Sequence, residues 1–172
     1  MPTERTEVQV RAGIEGDLDA LTAIYNHYVR ETAITFDTAI FTSEGRRPWL
    51  LSHPEDGPHR LLVATEAESQ QILGYATSSP YRPKPAYTTS VEVSVYVAPD
   101  SGRGGIGTLL YDALFKALAD EDVHRAYAGI AQPNEASERL HARFGFRHVG
   151  TYREVGRKFG RYWDVAWYEK EL

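Results

Sequence analysis

The chain has 172 residues, of which 42% are hydrophobic and 25% charged, a size and composition suited to one compact domain with its own core. Its 24 acidic and 19 basic side chains give a formal charge of -5, which disfavours a nucleic-acid partner because the phosphate backbone is itself anionic. The chain has no cysteine, which excludes disulfides, thiolate metal sites and a cysteine nucleophile.

The first elements predicted are a strand and a helix. Apolar and polar residues alternate over 8–12, as in a half-buried strand, and Gly13 ends the pattern. An acidic residue then precedes apolar positions spaced along one helical face, so we expect a helix over about 17–29. A second, short helix is expected around 48–51, among glycines and prolines that limit its length.

The middle of the chain is predicted to be mainly strands. The β-prone runs 60–67 and 72–79 are separated by a polar turn, which indicates an antiparallel hairpin. The loop 80–87 follows, stiffened by three prolines and carrying two cations and two aromatic residues. A further strand is predicted over 90–98.

The last part of the chain alternates helices and strands. A helix starting near Thr108 has one apolar side, and the strand 126–131 follows it. Asn134 is a good helix cap, so a second helix is expected from there to Gly145. Two final strands are predicted over 147–154 and 163–169. Strands and helices therefore interleave in a single α/β or α+β domain over 1–172.

A glycine-rich segment, Gly102-Arg103-Gly104-Gly105-Ile106-Gly107, lies between the strand 91–97 and the helix that starts near Thr108. In such a turn the backbone N–H groups converge at the positive end of the helix dipole. Glycines also let a phosphate approach the backbone without meeting a β-carbon, and Arg103 adds a positive charge. The segment therefore predicts an anion site.

Three other interpretations of this segment stay open. Gly102, Gly104 and Gly107 match the G-x-G-x-x-G dinucleotide fingerprint, but the turn does not follow its strand directly, and Glu121 and Asp122 precede the next strand instead of ending it. A P-loop would need Gly-Lys-Ser/Thr, which does not follow. The third interpretation is a glycine-rich helix start without a ligand.

Motifs that a known family combines are spread along nearly the whole chain. They are Asn26-His27-Tyr28, Phe36, Ala86-Tyr87, Glu92, Ser94-Val95-Tyr96-Val97-Ala98-Pro99, Arg103-Gly104-Gly105-Ile106-Gly107-Thr108-Leu109-Leu110-Tyr111, Pro133-Asn134, Leu140-His141, Phe144-Gly145-Phe146, Lys158, Gly160 and Asp164. In this combination the sequence resembles the Gcn5-related N-acetyltransferases (GNAT), and within them most of all the phosphinothricin and methionine sulfoximine acetyltransferases.

The resemblance implies a mixed, splayed central β-sheet flanked by helices, with acetyl-CoA entering between the strands 90–98 and 126–131. It implies that Val95, Tyr96 and Val97 lie along the pantetheine arm, and that Asn134 holds the cofactor near its thiol. The pyrophosphate would be bound by the backbone of Arg103, Gly104, Gly105, Ile106, Gly107 and Thr108. One departure is Gly102, where relatives often carry glutamine, so the resemblance implies no side-chain contact at this position.

Two residues are implied as catalytic. Glu92 lies where similar enzymes carry a carboxylate that accepts the proton of the amine, directly or through water, and His141 lies where many relatives have a tyrosine that protonates the departing thiolate. The oxyanion would be met by a strand amide near Val97. The alternatives are a solvated or ammonium-orienting carboxylate at Glu92 and an ordinary helix histidine at 141.

The resemblance implies that Arg82, Lys84 and Tyr87 bind the anionic groups of the substrate and that Phe36 closes the apolar side of its pocket. The alternatives are a proline-rich loop that shows its cations to solvent and a core phenylalanine. Arg82 and Lys84 favour an anionic substrate by charge complementarity.

The predicted function is transfer of acetyl from acetyl-CoA to the α-amino group of a small amino-acid-like substrate. The alternatives are a broader amine, L-amino-acid or peptide N-terminal acetyltransferase, and an acetyl-CoA-binding module without catalysis. No metal is expected, since the histidines form no H-E-x-x-H pattern. With no long apolar run and no leader pattern in the polar stretch 1–9, no membrane partner and a cytoplasmic address are expected. The resemblance also implies a homodimer.

Overall fold

The computed structural model describes residues 6–172, which form seven β-strands and four α-helices. The strands are β1 Val8–Ala12, β2 Leu61–Glu66, β3 Ile72–Pro80, β4 Ser90–Val97, β5 Arg125–Ala131, β6 Arg147–Lys158 and β7 Arg161–Glu171. The helices are α1 Leu18–Glu31, α2 Ser43–Leu51, α3 Ile106–Leu118 and α4 Glu135–Arg143. The first half of the polar stretch 1–9 lies outside the described residues.

The seven strands form one sheet in the order β1-β2-β3-β4-β5-β7-β6. All neighbours are antiparallel except β4 and β5, which are parallel. These two strands pair only between Ser90–Glu92 and Arg125–Tyr127, and beyond that point they diverge. The predicted hairpin of β2 and β3 and the predicted mixed sheet that opens between its fourth and fifth strands are therefore confirmed.

Helices cover both faces of the sheet, and β2 shows how. Successive side chains of a strand point to opposite faces. Leu62 and Ala64 pack in the core that contains α3, whereas Leu61 and Val63 pack with α1 and α2. Tyr75 of β3 belongs to the α1–α2 face. Each face of the sheet therefore has its own core.

Two helix boundaries differ from the sequence prediction. The short helix expected around 48–51 is the longer α2, because the Thr42 side chain accepts a hydrogen bond from Gly45 N and caps a helix that starts at Ser43. The glycine therefore lies inside the helix instead of ending it. The helix expected near Thr108 begins already at Ile106.

The two C-terminal strands are longer than predicted and form one hairpin. Register shifts at His148/Gly150 and Tyr152/Gly156 interrupt the alternation of side chains in β6, which hides the full length of this strand in the sequence. The turn consists of Phe159 and Gly160, with φ of 54° and 70°. Two positive φ values are the conformation of a tight type I′ hairpin turn.

No helix of the described chain is both long and apolar enough to cross a membrane. Among residues 6–172 no group of histidine, aspartate and glutamate side chains is placed to hold a metal ion.

Candidate active site

A small cavity fills the gap where β4 and β5 diverge. It has a volume of about 50 Å³ and is lined by residues 93–96 of β4, residues 128–131 of β5, and Asn134 and His141. Beyond Glu92 no pairing with β5 occupies this edge of β4, so its backbone groups are open to a ligand except Val97 O, which accepts a hydrogen bond from Tyr28 Oη.

A larger groove of about 430 Å³ runs from the gap to the start of α3. Val95 and Val97 form its strand side, and Gly105, Gly107 and Thr108 form its helix side. The N-cap of α3 is Gly105, which has no side chain to accept a hydrogen bond from the first turn. The backbone N–H groups of that turn are therefore free for an anion at the positive end of the helix dipole.

The glycines of this turn keep its surface open. A β-carbon on Gly104 or Gly105 would meet no atom within 4 Å, so neither glycine is needed to avoid a clash inside the protein. Gly105 has a φ of 84°, which L side chains rarely adopt. A β-carbon on Gly107 would lie 3.1 Å from Leu140 Cδ2, which shows how closely α3 approaches α4.

The side chain of Arg103 turns away from this groove. Its Nη1 donates to Thr6 O at 2.5 Å, and its Nη2 lies 3.7 Å from a carboxylate oxygen of Glu66. The guanidinium of Arg103 therefore connects the turn to the β1–β2 edge of the sheet. Its backbone remains part of the glycine-rich turn.

Glu92 lies on β4 opposite Ser79 of β3 and Tyr127 of β5, at the last paired position before the gap. Its half-buried side chain lines a second cavity, of about 220 Å³, on the α1–α2 face. Burial raises the pKa of Glu92, and the charge of Arg82 partly opposes this shift. Ser94 and Tyr96 line both this cavity and the gap, so the two spaces share a wall.

His141 is only 3% exposed and lies on α4 at the far side of the gap. Its Nδ1 is 2.7 Å from Ser137 O, and a carbonyl can only accept, so Nδ1 carries a hydrogen. Its Nε2 lies 2.8 Å from Tyr111 Oη. Burial lowers the pKa of His141 and raises the pKa of Tyr111, so a neutral imidazole accepts from a protonated hydroxyl.

Asn134 lies where the gap meets the groove and lines both. Its Oδ1 accepts a hydrogen bond from Ser137 N at 3.2 Å and caps α4, as its sequence position predicts. The capping bond uses the oxygen of this side chain and leaves its amide nitrogen for other contacts.

The residues predicted to bind substrate are not in the Glu92 cavity. Arg82, Lys84 and Tyr87 are exposed on the loop between β3 and β4, where the Arg82 guanidinium lies 4.3 Å from the centre of the Tyr81 ring. The ring of Phe36 packs on Gly156 of β6. The structure thus places Glu92 beside the gap and the predicted anion-binding side chains at the outer loop.

Several lining residues were not predicted from the sequence. Arg139 and Arg143 of α4 line the groove, and Arg143 donates to Thr108 Oγ1 at 2.8 Å. Their spacing of one helical turn after a recognised cap was a usable signal. Arg46 lines the Glu92 cavity, and Ile34 lines both the gap and the groove. Neither has a neighbour pattern that marks it in the sequence.

Comparison with known proteins now identifies the family. Residues 10–167 match the model of the acetyltransferase (GNAT) domain. The chain belongs to the GNAT family. This acetyltransferase is 80% identical over 166 residues to a phosphinothricin N-acetyltransferase of Streptomyces coelicolor. The aligned region covers 96% of this chain and 97% of that protein. The predicted family is therefore confirmed, and the chain is an N-acetyltransferase enzyme.

Two further relatives of this GNAT chain are more distant. An L-methionine sulfoximine/L-methionine sulfone acetyltransferase of Pseudomonas paraeruginosa is 34% identical, over 94% of this chain and 92% of that protein. The crystal structure of a GNAT superfamily phosphinothricin acetyltransferase from Sinorhizobium meliloti, in complex with AcCoA, matches with a TM-score of 0.88 at 26% identity, over 96% of this chain and 88% of that chain.

Proposed function

We propose that this enzyme transfers the acetyl group of acetyl-CoA to the α-amino group of a small amino-acid-like substrate, such as phosphinothricin, methionine sulfoximine or methionine sulfone. The observation that carries the proposal is the wall that the Glu92 cavity shares with the gap between β4 and β5. An amine in one space and a thioester in the other would meet there. The names of the relatives that match nearly the whole chain support the choice of substrate.

Acetyl-CoA supplies the thioester, and the groove has the chemistry to hold it. The edge of β4 along Val95, Tyr96 and Val97 offers backbone groups to the amides of the pantetheine arm, except Val97 O, to which Tyr28 Oη donates. The amides of 103–108 would bind the pyrophosphate, with Arg139 and Arg143 as further cations on the opposite wall. Asn134 would hold the thiol end.

Glu92 would act as the general base. An amine at neutral pH is mostly protonated, and it cannot attack a thioester until a proton leaves. The raised pKa of Glu92 makes its carboxylate a stronger proton acceptor than an exposed glutamate. A position beside the gap lets it accept this proton directly or through a water molecule.

His141 would act as the general acid through the hydroxyl that it contacts, because its own Nε2 accepts a hydrogen bond and its Nδ1 hydrogen is bound to Ser137 O. The proton available to a departing thiolate is then that of Tyr111 Oη, and Nε2 of His141 holds this hydroxyl in place. Both residues line the gap, so a departing thiolate would take its proton from this pair. A strand amide near Val97 would stabilise the oxyanion.

The outer loop would complete the substrate site. Arg82, Lys84 and Tyr87 are exposed, and Arg82 is close enough to affect Glu92 electrostatically. They would bind an anionic group at the mouth of the cavity, with Phe36 on the apolar side.

We further propose one domain over 1–172, a homodimer and a cytoplasmic location. The C-terminal hairpin exposes Val149, Val155 and Phe159 by 56%, 56% and 58%, and apolar side chains exposed on one hairpin would suit a contact with a second copy of the chain. Sedimentation should therefore give twice the chain mass, whereas a monomer at assay concentration would argue against the dimer.

The test of the function is a free-thiol release assay with acetyl-CoA and a panel of acceptors. The panel contains phosphinothricin, methionine sulfoximine, methionine sulfone, unmodified L-amino acids, simple amines and a short peptide. We expect turnover to be highest with the first three. Equal turnover of all amines or preference for the peptide would replace the proposed substrate class, and no thiol release with any acceptor would contradict the proposal.

A further inference from the structure

The Glu92 cavity contains a buried cation that the mechanism above does not use. Arg46 of α2 is 8% exposed and lines this cavity. Its guanidinium carbon lies 4.0 Å from the centre of the Trp49 ring and 4.1 Å from that of Tyr25. The two rings hold the guanidinium between them, so its position is fixed before any ligand arrives.

No anion of the described chain neutralises this cation. Within residues 6–172 no carboxylate lies within 4.0 Å of Arg46, and its Nε is buried without a hydrogen-bond partner. The adjacent Arg47, in contrast, forms ion pairs with Glu44 and Glu15 at the surface. Buried charges are normally paired, and contact with aromatic faces replaces only part of the lost hydration.

A second polar group of the same cavity also lacks a partner. Tyr75 is 1% exposed, lines the cavity, and has a buried hydroxyl with no hydrogen bond among the described residues. Thr77 and Ser79 add hydroxyl groups to the lining. The lining of the cavity therefore has more hydrogen-bond donors than acceptors, and its single carboxylate is that of Glu92. A ligand with both a carboxylate and an amine matches this arrangement.

We propose that Arg46 binds the α-carboxylate of the amino-acid substrate and thereby directs its amine toward Glu92 and the gap. This inference rests on the proposed function and adds the residue that selects amino acids over simple amines. The volume of about 220 Å³ suits an acceptor of amino-acid size. Arg82 and Lys84 would then bind the second polar group of the substrate, at its other end.

The experiment compares methionine sulfone with 3-(methylsulfonyl)propan-1-amine, the same molecule without its carboxylate. The wild-type enzyme should show a kcat/KM about 100-fold higher for methionine sulfone, as expected for a buried charge pair. Arg46→Met keeps an unbranched apolar stem between the two rings but removes the charge. It should lower kcat/KM for methionine sulfone about 100-fold and leave the value for the amine and the KM for acetyl-CoA unchanged.

Two further variants complete the design. Arg46→Lys restores the charge without the planar fork and should recover part of the lost kcat/KM. Arg47→Met, on the exposed side of α2, should leave both acceptors unchanged.

Three results would overturn the inference. If the wild-type enzyme has the same kcat/KM for the amine and for methionine sulfone, it has no carboxylate site. This comparison does not depend on whether Arg46→Met folds. An equal loss with both acceptors in Arg46→Met would show a packing role alone, and an unchanged kcat/KM for methionine sulfone would show no role. Failure of the proposed function differs from all three, since the wild-type enzyme would then release thiol with neither acceptor.

Discussion

Gly105 gives the sharpest test of the proposed pyrophosphate site, because a methyl group there should have two separable effects. The residue caps α3 with a φ of 84° and lines the groove. An L residue in the left-handed region costs about 1 kcal/mol, which lowers Tm by roughly 2–4 °C in a chain of this size. The methyl group also keeps a phosphate away from the free amides, and losing one hydrogen bond to a charged group costs about 1.5–3 kcal/mol. Gly105→Ala should therefore raise the KM for acetyl-CoA about 10- to 100-fold.

Two neighbouring glycines separate strain from ligand contact. Gly102 has a φ of 69° and does not line the groove, so Gly102→Ala should lower Tm by a similar amount without changing the KM. Gly104→Ala meets no atom within 4 Å, has no positive φ, and should leave Tm unchanged. The measurements are thermal denaturation and thiol release over a range of acetyl-CoA concentrations. An unchanged KM in Gly105→Ala, or an equal increase in Gly102→Ala, would refute the placement of the pyrophosphate.

Glu92→Gln should lower kcat at least about 100-fold and leave the KM for acetyl-CoA unchanged. It should not lower Tm, because the substitution removes a carboxylate whose ionised form burial disfavours. A kcat equal to that of the wild-type enzyme would show that Glu92 is not the general base. Burial lowers the pKa of His53 and His141, so below about pH 6.5 the unfolded chain binds protons that the folded chain does not. The stability of the fold should therefore decrease as the pH falls from 7 to 5. His53→Gln and His141→Gln should each reduce the slope of Tm against pH, and unchanged slopes would contradict the prediction. Gly156→Ala places a β-carbon 2.6 Å from Phe36 Cδ2 and should destabilise the fold by about 1–3 kcal/mol. The control is Gly150→Ala on the same strand, where an added β-carbon meets no atom within 4 Å. Equal Tm values of the two variants would show that Phe36 moves away freely.

Periodicity made most of the fold predictable. The apolar face of α3 and the hairpin of β2 and β3 follow from local patterns, and the structure confirms both. The C-terminal hairpin was seen only as two shorter strands. Its register shifts move side chains to the opposite face, and a pattern of period two does not survive such a shift.

The site was predictable only where one local segment carries it. The glycine-rich turn is such a segment, and Glu92 and His141 came from resemblance to a family, so their roles remain predictions. Arg46 shows what the sequence does not display. Its burial depends on a helix boundary set by the Thr42 cap and on two aromatic rings that reach it from α1 and α2. In the sequence Arg46 is one of two adjacent arginines, a pattern typical of an exposed helix surface.

The short pairing of β4 with β5 at Ser90–Glu92 links cosubstrate binding to the stability of the fold. It is the only strand pairing by which β1 to β4 continue into β5 to β7 within the described sheet. A cosubstrate lying along the free edge of β4 would join the two halves as an extra strand does. A ligand that binds only the folded chain at 100 times its Kd raises the unfolding free energy by about 2.7 kcal/mol. A low concentration of acetyl-CoA would therefore lower both the turnover and the conformational stability of this enzyme.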